Sequence, residues 1–245
     1  MATRATRRDG RLLYTDTDRT ESVMPANPEV FLFDDFIVKA ADQTSLWTIA
    51  AVNSGAGAYN AQANGAIRLT TGAADDDDLD MASGLCFTAA QGACVEIRMA
   101  AADVTAGAFC IGFSDAQGEA ADLIALDFSD SGGFKSTASD AVAFVLDPDK
   151  TANDTYAYLC AVKGDTDATE VSTGVVPVAA TYNTYRIELL TDGTANGYID
   201  GELVATIPTC ITVTDLLCVY IGVINREAAA NTWDVDYVRA WQRRA

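Results

Sequence analysis

The chain has 245 residues and not one histidine, and its six cysteines form no CxxC pair. Without imidazole, the usual general base near neutral pH is missing, and so is the commonest partner of cysteine in a zinc site. Glutamate is scarce, with eight residues at 21, 29, 96, 119, 170, 188, 202 and 227. No apolar run approaches the roughly 20 residues of a membrane-spanning helix. The first twenty residues hold no apolar core of a signal peptide, and RATRRDGR is the opposite of one. The glycine-rich stretches 53–57 and 131–133 lack the GK[ST] or GxGxxG setting that cradles a phosphate. No window carries a capped apolar stripe of helical period.

Acid is what the chain has in excess, with a formal charge of −19. Residues 1–19 nevertheless carry five arginines against three aspartates, and residues 239–245 carry three arginines and no acid. The chain's −19, less the +2 and +3 of these ends, leaves −24 between them. An acidic body repels phosphates, which argues against nucleic acid as a partner, and nothing points to a membrane. A basic arm on an acidic body suits an acidic partner surface or another copy of the chain. Cys86, Cys94, Cys110, Cys160, Cys210 and Cys218 lie mostly within apolar runs such as AFCIGF and LLCVY. With no leader peptide they read as buried free thiols of a protein made in a reducing cytosol.

Residues 1–30 stand apart. They are rich in Arg, Thr and Asp, with Pro25 and Pro28, and their only early apolar anchor is Leu12-Leu13-Tyr14. Such a composition forms no core of its own, so an extended arm that orders against something else is expected. From Phe31 on, short strands and turns alternate. Val95, Ile97 and Met99, then Phe109, Ile111 and Phe113, then Val142, Phe144 and Leu146 all repeat at period two. Val171–Val178 reads as a strand brought to its end or an edge by Pro177. Tyr185, Ile187 and Leu189 alternate with polar residues until Asp192-Gly193, and the next short strand stops at Asp200-Gly201. An Asp-Gly pair suits a two-residue primed turn. A dozen such strands and no helix predict an all-β fold, two packed antiparallel sheets over 31–245 behind the arm 1–30.

FDDF (33–36), RIEL…GYIDGELVATI (186–207) and DVDYVRAW (234–241) resemble the concanavalin A-like lectin/glucanase superfamily. The resemblance implies a jelly roll whose opening and closing strands lie side by side. Laminarinase-type glucanases of that superfamily carry E-x-D-x-x-E on one strand, which sets three carboxylates on one sheet face. No two glutamates here have that spacing, so the enzymatic part of the resemblance does not carry over. More generally the chain resembles capsid decoration (cement) proteins of tailed bacteriophages. What matches is the arginine-rich arm, the acidic Ala/Asp/Thr/Gly-rich sandwich and the missing catalytic set.

Candidate sites follow. If the first and last strands pair, Asp34 or Asp35 would approach Asp234 or Asp236. The resembled superfamily implies a structural calcium near such a place; the bland reading makes Asp234 and Asp236 the outward face of a strand. The run Asp75–Asp78 with Asp80 misfits an EF-hand and reads as a solvated acidic loop. Tyr156 and Tyr158, and Tyr182 and Tyr185, would stack on sugars if exposed, and pack the core otherwise. Trp47, Trp233 and Trp241 read as core or interface.

The expectation is therefore a non-enzymatic virion structural protein, a decoration protein on the capsid exterior forming a symmetric oligomer such as a trimer. Arg4, Arg7, Arg8 and Arg11 would meet acidic groups of a major capsid protein or another virion protein. Leu12, Leu13 and Tyr14 would fill an apolar groove. The alternative is a carbohydrate-binding, lectin-like module or adhesin domain.

Overall fold

The computed structural model of the chain describes residues 4–8, 11–16, 19–24, 29–37, 46–60, 65–119, 123–128, 134–151 and 154–244, with side chains from Val30 onward except at 167–169. Strands β1 (Arg4–Arg8), β2 (Arg11–Asp16) and β3 (Arg19–Met24) pair in that order as a small antiparallel sheet. The segment expected as an extended arm is thus paired with itself, and its strands join neither large sheet. The register sets Leu13 between Thr6 and Val23, and Tyr14 between Ala5 and Ser22.

The body begins with β4 (Glu29–Asp34), β5 (Thr48–Ala51), β6 (Ala56–Tyr59), β7 (Ile67–Thr70), β8 (Asp78–Ala82), β9 (Cys94–Ala101) and β10 (Gly107–Ser114). A short hairpin follows, β11 (Leu126–Phe128) and β12 (Phe134–Ser136). Then come β13 (Asp140–Leu146), β14 (Tyr158–Lys163), β15 (Thr166–Ser172), β16 (Asn183–Leu189), β17 (Ala195–Ile199), β18 (Glu202–Ile207), β19 (Cys218–Asn225) and β20 (Thr232–Arg243). Seven strands form one sheet, ordered β15-β14-β13-β10-β19-β8-β5. The other runs β18-β17-β16-β9-β20-β7-β6, and β4 pairs with the far half of β20. The expected side-by-side opening and closing strands are there, with Phe31 opposite Trp241 and Asp34 opposite Val238. This is an all-β, two-sheet antiparallel sandwich.

Alternation builds the core. Phe109, Ile111 and Phe113 of β10, Val142, Phe144 and Leu146 of β13, and Val219, Ile221 and Val223 of β19 face Val95, Ile97, Met99, Ile187, Trp233 and Val235 of the other sheet. The primed turn falls at Asp200-Gly201, where both φ values are positive, 51° and 87°. Asp192-Gly193 sits instead in a longer turn closed by Leu190 N to Thr194 O at 2.8 Å. The strand expected at 171–178 lies earlier, at Thr166–Ser172. Asp165 and Gly164 take positive φ and fold β15 directly back on β14, and Gly174, also at positive φ, lies just beyond its end. The six cysteines are free thiols, five of them buried. The glycine-rich stretch 131–133 lies outside the described residues.

Candidate functional site

A sandwich offers two outer sheet faces and its edges, and each is set by the residues that alternate with the core. On the seven-stranded sheet, beside larger residues such as Val145 and Ile224, many of those residues are small: Ala108, Cys110 and Gly112 on β10, Ala141 and Ala143 on β13, Cys160 on β14, Gly222 on β19. Their size lets the described parts of residues 115–139 lie down on the sheet as a roof. Ile124, Ala125, Leu126, Phe128 and Ala138 form with this face a second apolar core that also holds Tyr158 and Tyr220. Phe128 meets Tyr158 edge-on at 5.4 Å, and Lys150 caps both rings at 3.9 and 4.6 Å. A Cβ on Gly112 would lie 2.3 Å from the Val142 carbonyl oxygen.

Polar groups pin the roof. The Tyr220 hydroxyl accepts from Ala125 N at 3.0 Å and donates to Asp80 Oδ1, while Asp80 Oδ2 accepts from Glu119 N at 2.6 Å. Burial pushes the Asp80 carboxyl above the usual range, against the lowering by those two donors. Burial raises Glu119 as well. At the other end Arg226 reaches Asp147 at 2.7 Å and Asp127 at 3.1 Å, with Asp76 at 2.5 Å. Asp147 is wholly buried and also accepts Phe128 N at 3.0 Å. Burial raises the Asp127 carboxyl, and Arg226 opposes the rise. The acidic run expected as a solvated loop is therefore mostly structural. Asp76 holds Arg226, Asp77 takes Asn53 Nδ2 and Ala74 N, Asp78 is buried, and Asp80 holds the roof. Only Asp75 of the run is exposed.

The outer face of the eight-stranded sheet is a ladder of ion pairs. Arg68 forks onto Asp234 at 2.7 and 2.8 Å, Arg98 meets Asp236 at 2.5 Å, Arg239 meets Glu96 at 2.8 Å, and Arg186 meets Glu188 at 3.3 Å. Three of these guanidinium groups also lie over rings: Arg98 over Tyr182 at 4.4 Å, Arg186 over Tyr198 at 4.1 Å and Arg239 over Trp241 at 5.4 Å. An arginine thus occupies one face of each of these three rings. Of the other aromatics weighed as sugar platforms, Tyr158 and Tyr185 are buried and Tyr156 packs against the roof core. Trp47 and Trp233 are core.

The four aspartates considered for calcium do not converge. Asp34 pairs across the ladder with buried Val238, so it points inward, and it accepts Trp47 Nε1 at 2.8 Å and Phe36 N at 2.9 Å. Asp35 lies just past the strand end, half-buried. Asp234 and Asp236 face outward, each held by its arginine. Among the described residues no group of three His, Cys, Asp or Glu could hold a metal ion. Arg4, Arg7, Arg8 and Arg11, with Leu12, Leu13 and Tyr14, sit on β1 and β2, and their side chains lie outside the described set.

What stays open is β4. Val30 and Leu32 pack on the core, while Phe31 and Phe33 are 59% and 50% exposed, stacked at 6.4 Å with their planes 13° apart. The alternation was legible in the sequence, but which alternate set meets the core was not.

No family model and no curated protein matches the chain. Solved structures do. A protein of unknown function from Shewanella oneidensis MR-1 superposes with a TM-score of 0.59 at 11% identity, covering 90% of each chain. The Bacillus licheniformis β-glucanase gives 0.59 at 15% identity, over 87% of this chain and 98% of that one. The carbohydrate recognition domain of Emp46p gives 0.55 at 10% identity, over 85% and 94%. The fold is that of the concanavalin A-like lectins and glucanases. At these identities the likeness is one of fold, shared by enzymes and lectins alike.

Proposed function

We propose that the chain is a non-enzymatic structural protein that decorates a larger assembly, a phage capsid being the setting its composition suggests, with residues 1–30 as the attachment element. One observation carries the reading. The protein's own side chains cover most of both sheet faces, roof on one and ion-pair ladder on the other, whereas at the β4 margin of the second face the stacked Phe31–Phe33 pair stands open directly after residues 1–30. Two bare phenyl rings suit an apolar protein surface better than a sugar, since they bring no hydroxyl or amide to the hydrogen bonds that orient a glycan. Many copies on one shell would make a weak individual contact collectively strong.

The test is co-sedimentation with undecorated shells. Full-length protein is expected in the pellet at fixed stoichiometry, and a chain lacking residues 1–20 in the supernatant with an unchanged melting temperature. Equal binding of the truncated chain would overturn the assignment. A glycan array is expected blank with and without chelator, and a defined sugar ligand would favour the lectin-like alternative.

A further inference from the structure

The roof is pinned at two ends, and the pins differ in charge. At one end the carboxylates of Asp76, Asp127 and Asp147 share the Arg226 guanidinium. At the other the pin is a hydrogen-bonded chain: Ala125 N donates to the Tyr220 hydroxyl, the hydroxyl donates to Asp80 Oδ1, and Glu119 N donates to Asp80 Oδ2. Every titratable group facing this second pin is an acid. Asp115 and Glu119 come from the roof, Asp78 lies beside Asp80 on β8, Tyr220 and Cys218 come from β19 and Cys110 from β10, while β5 presents Ala50 opposite Asp80. Among the described residues no lysine or arginine acts on either the Asp80 or the Glu119 carboxyl. Asp80 is only 1% exposed. The Thr137 hydroxyl supports the Glu119 carboxyl, but among the described residues nothing donates to Glu119 Oε1 or to Asp115 Oδ1, and both atoms are buried. A buried carboxyl oxygen with no donor and with like charges beside it favours the neutral acid.

We propose that the Ala125 end of the roof is a proton-operated latch, closed while the Asp80–Glu119 pair keeps a proton and released when that proton leaves for solvent. With the proton gone, two carboxylates meet in a desolvated place without a counter-charge. Turning Glu119 out into water relieves the repulsion. Its amide then leaves Asp80 Oδ2, and Tyr220 and Ala125, held through Asp80, loosen with it. The Arg226 end carries its own counter-charge and stays fixed. Burial is the first cause raising both the Asp80 and the Glu119 carboxyls, and Asp80 and Asp115 add to the rise at Glu119. The closed state therefore binds protons more tightly than the open one. Closure is complete below the ordinary carboxyl values and is lost as pH rises through the raised ones. Release bares part of the apolar face beneath the roof, Tyr220 included, which the molecule hides in acid. No shell or partner enters this device, so it stands apart from the attachment role proposed above.

Two amides of the same roof test it, followed in the full chain by hydrogen exchange read by NMR. Ala125 N–H is held by the Tyr220 hydroxyl, and Phe128 N–H by Asp147 at the Arg226 end. Exchange rates are divided by those of an unstructured chain at the same pH, so that only opening is compared. Between about pH 5 and pH 8, Ala125 protection should fall about tenfold per pH unit for each proton released on opening, then level off. Phe128 protection should stay constant over the same span. Glu119→Gln keeps the size of the side chain and cannot titrate, so the Ala125 slope should flatten. The comparison of Ala125 with Phe128 in the parent needs no variant and decides the matter even if E119Q folds poorly. Constant Ala125 protection, a parallel fall at both amides, or the parent's slope retained in a folded E119Q would each overturn the latch.

Discussion

Gly222 lies two residues from Tyr220 on the same face of β19, and a Cβ there would sit 2.6 Å from the Tyr220 hydroxyl. The missing side chain is what lets the Tyr220 ring lie flat on the sheet, with its hydroxyl between Ala125 N and Asp80. Gly222→Ala displaces the ring and breaks both bonds. Tyr220→Phe keeps the ring and removes only the hydroxyl, leaving a buried amide unpaired at a cost of about 1–3 kcal/mol. Urea unfolding of both variants is expected to rank G222A as the more destabilised, because it adds overpacking of roughly 1–3 kcal/mol to the same loss.

The roof carboxyls give stability a particular pH dependence. Burial holds Asp80 above its ordinary value of 3.8, and Asp127 and Glu119 shift the same way. Between the unfolded and the raised folded values, the folded state binds more protons than the unfolded state. Stability from these groups is therefore full below the unfolded value and declines as pH rises through the folded one. Asp80→Asn cannot titrate. Its melting temperature, followed upward from pH 4, should fall less than that of the parent over the same span. A parallel fall in both proteins would remove Asp80 as a source.

Arg226 is one cation serving several acids. Its side chain is almost wholly buried, as are those of Asp147 and Asp127. Arg226→Met strands two buried carboxylates without a counter-charge, which costs about 3–5 kcal/mol. Lysine restores the charge but not the fork that reaches Asp147 through both Nε and Nη2, so R226K should recover only part of it. Chemical denaturation of the two variants checks the order.

Periodicity in the sequence supplied most strands and the core-facing residues of several, and the pairing of the opening and closing strands came from the family resemblance. Neither supplied the roof. Ile124, Leu126 and Phe128 alternate as a strand does, yet they form a two-stranded hairpin lying on a sheet rather than within one. The signal was on the strands beneath: GAFCIGFS and CVYIGVIN are apolar or small at nearly every position, as strands buried on both faces are. The run Asp75–Asp80 misled for a related reason. Counted as charge it reads as a solvated loop, but Asp78 and Asp80 fall at period two on β8 with Leu79 between them in the core. What lies beneath the roof depends on tertiary placement that no local pattern records. The exposed Phe31–Phe33 face was equally ambiguous, since FLF alternates aromatic and aliphatic residues and either set satisfies a core.

Asp34 of β4 and Asp234 of β20 offer the sharpest contrast between a buried and an exposed carboxylate. Asp34 closes the inner end of β4, and its two oxygens accept the Trp47 indole and the Phe36 amide. Asp34→Ala leaves both donors buried without a partner, at about 1–3 kcal/mol each before any relaxation. Asp234 sits outside, paired with an arginine whose side chain is 45% exposed. Such pairs contribute about 0–1 kcal/mol, and less in salt. D234N is therefore expected to melt within a degree or two of the parent, and D34A many degrees below it. Both carboxylates are satisfied by protein donors, so EDTA should leave the parent's melting curve unmoved. A chelator-induced drop that D34A abolishes would show instead that Asp34 holds a cation, and the indole bond would then be its second role.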